Sequence, residues 1–76
     1  MKNFLYKYVY ITILKDLNKL YYMCAYITDV SNTHISFIDK IKNDTPYFYK
    51  IEDVIDCKIS NKVDGEGNLK EAKYGN

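Results

Sequence analysis

The sequence predicts an all-β domain: five short antiparallel strands wrapped around one small core as a small barrel. Three observations predict it. Apolar residues recur at every second position in several short runs, the period of a pleated strand with one buried face. Nine tyrosines, three phenylalanines and many β-branched residues enrich the chain in strand formers. Polar turn chemistry separates the runs, and no stretch carries a sustained helical period.

The central stretch is Tyr22 to Phe37. Met23, Ala25 and Ile27 share one phase, as do Ile35 and Phe37, and Ser31-Asn32-Thr33 between them is turn chemistry. The other elements supply partners for this hairpin. Residues 1–6 form a short lead in which Phe4 and Leu5 are placed to cap an open end of the barrel. The first strand, Lys7 to Leu14, alternates Val9, Ile11 and Ile13 toward the interior with Tyr8, Tyr10 and Thr12 outside.

Lys15 to Lys19 is a hairpin loop in which Asn18 suits the left-handed position. The second strand, Leu20 to about Val30, changes phase, because Ile27 and Val30 are three apart. That odd step predicts a bulge or bend, and Ala25 sits where a bend would crowd a larger side chain.

His34 to Lys40 is the third strand, with His34 read as a strand residue beside the turn, hydrogen-bonded to Asp29 or Ser31. Asp39 to Asp44 is a polar loop. Pro46 then marks a strand start or an edge, since proline has no N–H to give. The fourth strand, Tyr47 to Ile51, sets Tyr47, Tyr49 and Ile51 against Phe48 and Lys50. Glu52-Asp53 fits a single 3₁₀ turn. In the last strand, Val54 to Ile59, the set Ile55, Cys57 and Ile59 alternates with Asp56 and Lys58, and Ile55 is expected to meet Ile11, Ile27 and Phe37.

The barrel thus covers residues 7–59. Residues 60–76 read as a flexible polar tail, with three glycines and little to bury. Asp64 to Asn68 resembles a calcium loop only superficially, because Leu69 stands where such a loop needs its glycine.

This order of elements resembles a small SH3-like barrel, and within that group the Sm-like, Hfq-type family. The resemblance is carried by VYITILKDLNKLYYMCAYITDVSNTHISFID and YFYKIEDVIDCKI. Ala25 stands at the family's bend position, often glycine there, and Asp39 at its acidic strand end. IEDV matches the short turn before the final strand. YFYKIEDV is also similar to the small barrel of WYL-type regulatory domains. The resemblance implies an SH3-like fold and assembly by strand pairing. Sm-like RNA binders also carry an arginine- or lysine-plus-glycine motif, or a lysine-histidine pair, near the last hairpin. Here that region reads KIEDVIDCKI, with acids in those places.

Composition bounds the function. The formal net charge is +1, and all eleven basic residues are lysine. Nucleic-acid readers carry a basic excess and use arginine for bidentate contacts. The longest apolar runs fall far short of the roughly 20 residues of a membrane helix, and the N-terminus lacks signal-peptide order. A cytoplasmic protein with two reduced cysteines, Cys24 and Cys57, is expected. The Lys, Asn, Ile and Tyr bias suits a gene of a phage or other mobile element in a low-GC bacterium.

No catalytic, cofactor-binding or metal-binding residues are expected. His34 is the sole histidine, the two cysteines lack CxxC spacing, and Glu52, Asp53 and Asp56 read as a solvated corner. The sequence therefore points to a non-enzymatic interaction module that self-associates or docks on a protein partner through strand edges and tyrosines. The candidate surface residues are Tyr8, Tyr10, Tyr22, Tyr26, Tyr47 and Tyr49, more aromatics than so small a core can absorb. The alternative is an Sm-like protein binding single-stranded RNA or DNA, with Lys7, Lys15, Lys19, Lys50 and Lys58 tracking the backbone.

Overall fold

The computed structural model describes residues 1–63. A 3₁₀ turn, Lys2–Phe4, precedes β1 (Tyr8–Lys15), β2 (Asn18–Val30), β3 (His34–Asp39) and β4 (Thr45–Lys50). A second 3₁₀ turn, Ile51–Asp53, leads into β5 (Val54–Ile59). The five strands form one antiparallel sheet in the order β4-β3-β2-β1-β5. All five expected strands are present, with the 3₁₀ turn before the last. The sheet is not closed: β4 and β5 remain its two edges, where the sequence reading expects a barrel.

Alternation builds the core. Val9, Ile11 and Ile13 of β1, Ala25, Ile27 and Val30 of β2, and Ile35 and Phe37 of β3 are buried together. Met1, Phe4 and Leu5 of the lead pack against this cluster, as expected of a cap. The lead is tied to β2 by two backbone bonds, Tyr6 N–H to the Ile27 carbonyl at 2.8 Å and Ile27 N–H to the Lys7 carbonyl at 3.0 Å.

Three register shifts decide which side chains reach that core. Between the pairs Ile27↔Phe37 and Asp29↔Ser36, β2 advances two residues and β3 one. Thr28 is the extra residue, and the step turns both Ile27 and Val30 inward. This is the bulge that the three-residue spacing predicts.

The second shift lies beside Ala25, the expected bend position. Val9 faces Ala25 but Ile11 faces Tyr22, so β2 gains one residue at Met23-Cys24. Ala25 and Tyr22 consequently both reach the core side, while Met23, expected inside, is 46% exposed. A one-residue change of register exchanges faces, because the side-chain period is two.

The third shift lies in β5, where Thr12↔Asp56 is followed by Ile13↔Val54 and Ile55 is the extra residue. Val54 and Cys57 pack against the core, whereas Ile55 and Ile59 are about half exposed. The expected meeting of Ile55 with Ile11, Ile27 and Phe37 does not occur.

The turns follow local chemistry. Lys15 pairs with Asn18, leaving a two-residue turn in which Asp16 (φ 52°) and Leu17 (φ 66°) are both left-handed. That is the pattern of a type I′ hairpin. The left-handed positions fall on Asp16 and Leu17, and Asn18 is a strand residue, contrary to expectation. Asn18 instead donates from its side-chain amide to the Asp16 carbonyl at 3.2 Å.

At the next turn the Ser31 hydroxyl oxygen accepts the N–H groups of Thr33 and His34. Asp39 is buried at the end of β3, and its carboxylate accepts the N–H groups of Ile41 and Lys42. Ser60, where the sequence reading begins the polar tail, is buried; its hydroxyl donates to the Met23 carbonyl at 2.8 Å. The rest of that tail from Asp64 on, with its calcium-like loop, lies outside the described residues.

Candidate functional site

The six candidate tyrosines fall into three places, all partly buried. Tyr22, Tyr47 and Tyr49 join Phe37 in one aromatic cluster on the core side of β2, β3 and β4. The Tyr22 and Tyr49 hydroxyls share a 2.6 Å hydrogen bond. Burial, and then that hydrogen bond, push the Tyr22 phenol well above its ordinary pKa. Tyr8 and Tyr26 are cross-strand neighbours on the other face, with ring centroids 4.8 Å apart. Tyr10 donates to Asn61 Oδ1 at 2.5 Å, and Lys58 Nζ lies 5.8 Å from its ring centroid.

The candidate lysines are likewise dispersed. Lys15 and Lys50 do come together, at a shallow groove that they share with His34, Phe48, Glu52 and Asp53. His34 stacks on Phe48 with centroids 4.7 Å apart and planes at 4°. Its Nδ1 bonds the Thr33 hydroxyl at 2.8 Å, and its backbone N–H, not its ring, reaches Ser31. Two acids offset the two lysines there. Lys7, Lys19 and Lys58 lie along three other grooves.

Both thiols are unpaired with each other. Cys24 is buried, and burial raises its pKa, aided by Asp39. Burial beside Asp56 pushes the Cys57 thiol up to about 11. Neither is poised as a thiolate nucleophile. Among the described residues no group of three or more His, Cys, Asp or Glu side chains is arranged to hold a metal ion. No helix among them is long and apolar enough to cross a membrane.

The sheet edges carry exposed apolar groups, Phe48 on β4 and Ile55 and Ile59 on β5, beside backbone that has no strand partner among the described residues. In an antiparallel ladder, paired residues alternate between exchanging two hydrogen bonds and exchanging none. Ser60 N–H bonds the Tyr8 carbonyl at 2.9 Å, which makes the intervening pair Val9↔Ile59 a non-bonded one. Counting along β5, Lys58 and Asp56 bond toward β1. Cys57 and Ile59 therefore aim their N–H and C=O groups away from β1, at the open edge.

The same alternation holds along β4. Ile51 N–H bonds the Thr33 carbonyl at 2.8 Å, so His34↔Lys50 is a non-bonded pair, as is Ile38↔Pro46 four residues further on. Pro46 thus faces the open edge, where its missing N–H removes a donor that a new strand would need. The β4 edge is blunted at Pro46, while β5 keeps a regular outward-facing ladder from Cys57 to Ile59.

The six candidate tyrosines are half-buried, and the most exposed aromatics on the strands are two others. Tyr21, at 68%, and Phe48, at 66%, are the most exposed strand aromatics, and Ile55 and Ile59 are half exposed on β5. The period-two pattern hides the β5 pair, because it puts Ile55, Cys57 and Ile59 on one buried face. Comparison with known proteins matches this chain to no family model, no curated protein and no solved structure.

Proposed function

We propose that this chain is a small non-enzymatic interaction module of the SH3-like, Sm-like kind that self-associates through the open edge of β5. The single observation that carries the reading is that edge. Among the described residues it leaves the backbone groups of Cys57 and Ile59 without a strand partner, and it carries apolar side chains at Ile55 and Ile59. An edge with these properties is a template for another strand. Burying Ile55 and Ile59 also suits a chain whose own core is small.

The strand order, the bulged second strand around Ala25 and the 3₁₀ turn before β5 support the SH3-like part of the reading. Two unpaired thiols suit a reducing compartment, in keeping with a cytoplasmic protein. The dispersed lysines rank single-stranded nucleic acid below a protein partner.

Light scattering after size exclusion across the micromolar range tests the proposal, joined with amide exchange. The mass should rise above 9.0 kDa with concentration, and the Cys57 and Ile59 amides should become protected as it does. A monomer at every concentration, with those amides exchanging freely, would overturn it.

A further inference from the structure

The order of residues along β5 is nearly self-complementary about Cys57: Ile55-Asp56-Cys57-Lys58-Ile59. We infer that two copies of this chain pair β5 against β5, antiparallel and two-fold symmetric about Cys57, joining two five-stranded sheets into one. The inference rests on the edge reading above and specifies its partner, register and direction.

A two-fold contact places the same patch against itself. With Cys57 opposite Cys57 of the second copy, residue 56 faces residue 58, and residue 55 faces residue 59. Asp56 then meets a lysine and Lys58 an aspartate, twice over. Each Ile59 ends opposite the bulge at Ile55 of the second copy, at the limit of the regular ladder. Opposite charges are what directly opposed strand positions favour.

The backbone agrees with this register. Cys57 has both its N–H and its C=O at the open edge, so the central pair is a bonded one exchanging two hydrogen bonds. Asp56 and Lys58 spend theirs on β1, which leaves their side chains as the discriminating groups. Both side chains are exposed. Cys57 packs against the core, so Ile59, two residues on and paired with buried Val9, extends the apolar face beyond the edge. The bulge at Ile55 confines the regular new ladder to the few residues around Cys57.

Other pairings lack this match. Sliding the register by two places Asp56 opposite Asp56 or Lys58 opposite Lys58 at the symmetry axis. A β4–β5 contact meets Pro46 and loses a bond.

Charge reversal tests the register. Asp56→Lys should set lysine against lysine, and Lys58→Asp aspartate against aspartate, each weakening self-association about tenfold or more. Mixing the two variants should restore it as a one-to-one heterodimer, since every opposed pair is then complementary. The double exchange Asp56→Lys/Lys58→Asp should restore the homodimer, which also controls for folding.

Variants that associate as tightly as the parent, or that gain nothing on mixing, would overturn this register while leaving self-association standing. A parent chain that is monomeric throughout would overturn both. A monomer with protected Cys57 and Ile59 amides would mean that another segment of the same chain lies on the edge, and would overturn the pairing of two copies.

Discussion

The Tyr22 hydroxyl lies 2.6 Å from the Tyr49 hydroxyl, joining β2 to β4 across the intervening strand β3. Neither strand pairs with the other. The bond is a side-chain tie on the core face, beside Phe37, whose ring centroid is 5.0 Å from Tyr22 and 5.9 Å from Tyr49. Each hydroxyl has the other as its hydrogen-bond partner in a part-buried place. The arrangement also places two of the six candidate tyrosines in the packing of the fold.

Removing one hydroxyl should cost more than removing both. Tyr49→Phe leaves the Tyr22 hydroxyl without its partner and should lower stability by about 1–2 kcal/mol. The double change to phenylalanine should recover part of that loss. Urea unfolding of the two single variants and the double variant measures the coupling. Additive losses would show that the bond contributes nothing of its own.

Leu17 is 95% exposed and left-handed at φ 66°, a conformation that costs a residue with a β-carbon about 1–2 kcal/mol. Glycine removes that cost and adds an entropic one in the unfolded chain of about half the size. Leu17→Gly should therefore raise the denaturation midpoint, with a net gain of about 0.5–1 kcal/mol and an unchanged denaturant slope. No contact is lost, since the side chain makes almost none.

Alkali should weaken the fold. Burial raises the Cys57 thiol from 9.0 to about 11, and the Tyr22 phenol is raised also. Above pH 9 the unfolded chain gives up the thiol proton before the folded one does, so it binds fewer protons and stability falls as pH rises toward 11. Cys57 is only partly buried, so solvent screening holds its share of the loss to roughly 1–2 kcal/mol. Cys57→Ala should flatten the slope of stability against pH between 9 and 11, whatever it does to stability at neutral pH.

The core should resist change in both directions. Phe37 is 1% exposed at the centre of the aromatic cluster, and Phe37→Ala should cost about 3–5 kcal/mol. For a domain this small that is most of its stability. Ala25 is fully buried beside the bulge, and Ala25→Leu should cost about 1–3 kcal/mol through crowding. Thermal melts followed by near-ultraviolet circular dichroism would register either loss.

The sequence by itself determined the number of strands, their direction, and most of the core. Val9, Ile11 and Ile13 alternate without interruption, and an unbroken period of two needs no partner to be read. The Ile27–Val30 step likewise carried its bulge in plain view. Only the tertiary structure decided the exposure of Met23, Ile55 and Ile59. Bulges at Met23-Cys24 and at Ile55 leave no mark in the alternation, because they are set by how β1 seats against two neighbours at once. The open edge follows from the same fact: which backbone groups point outward depends on the register with β1, and register belongs to pairs of strands, not to any one of them.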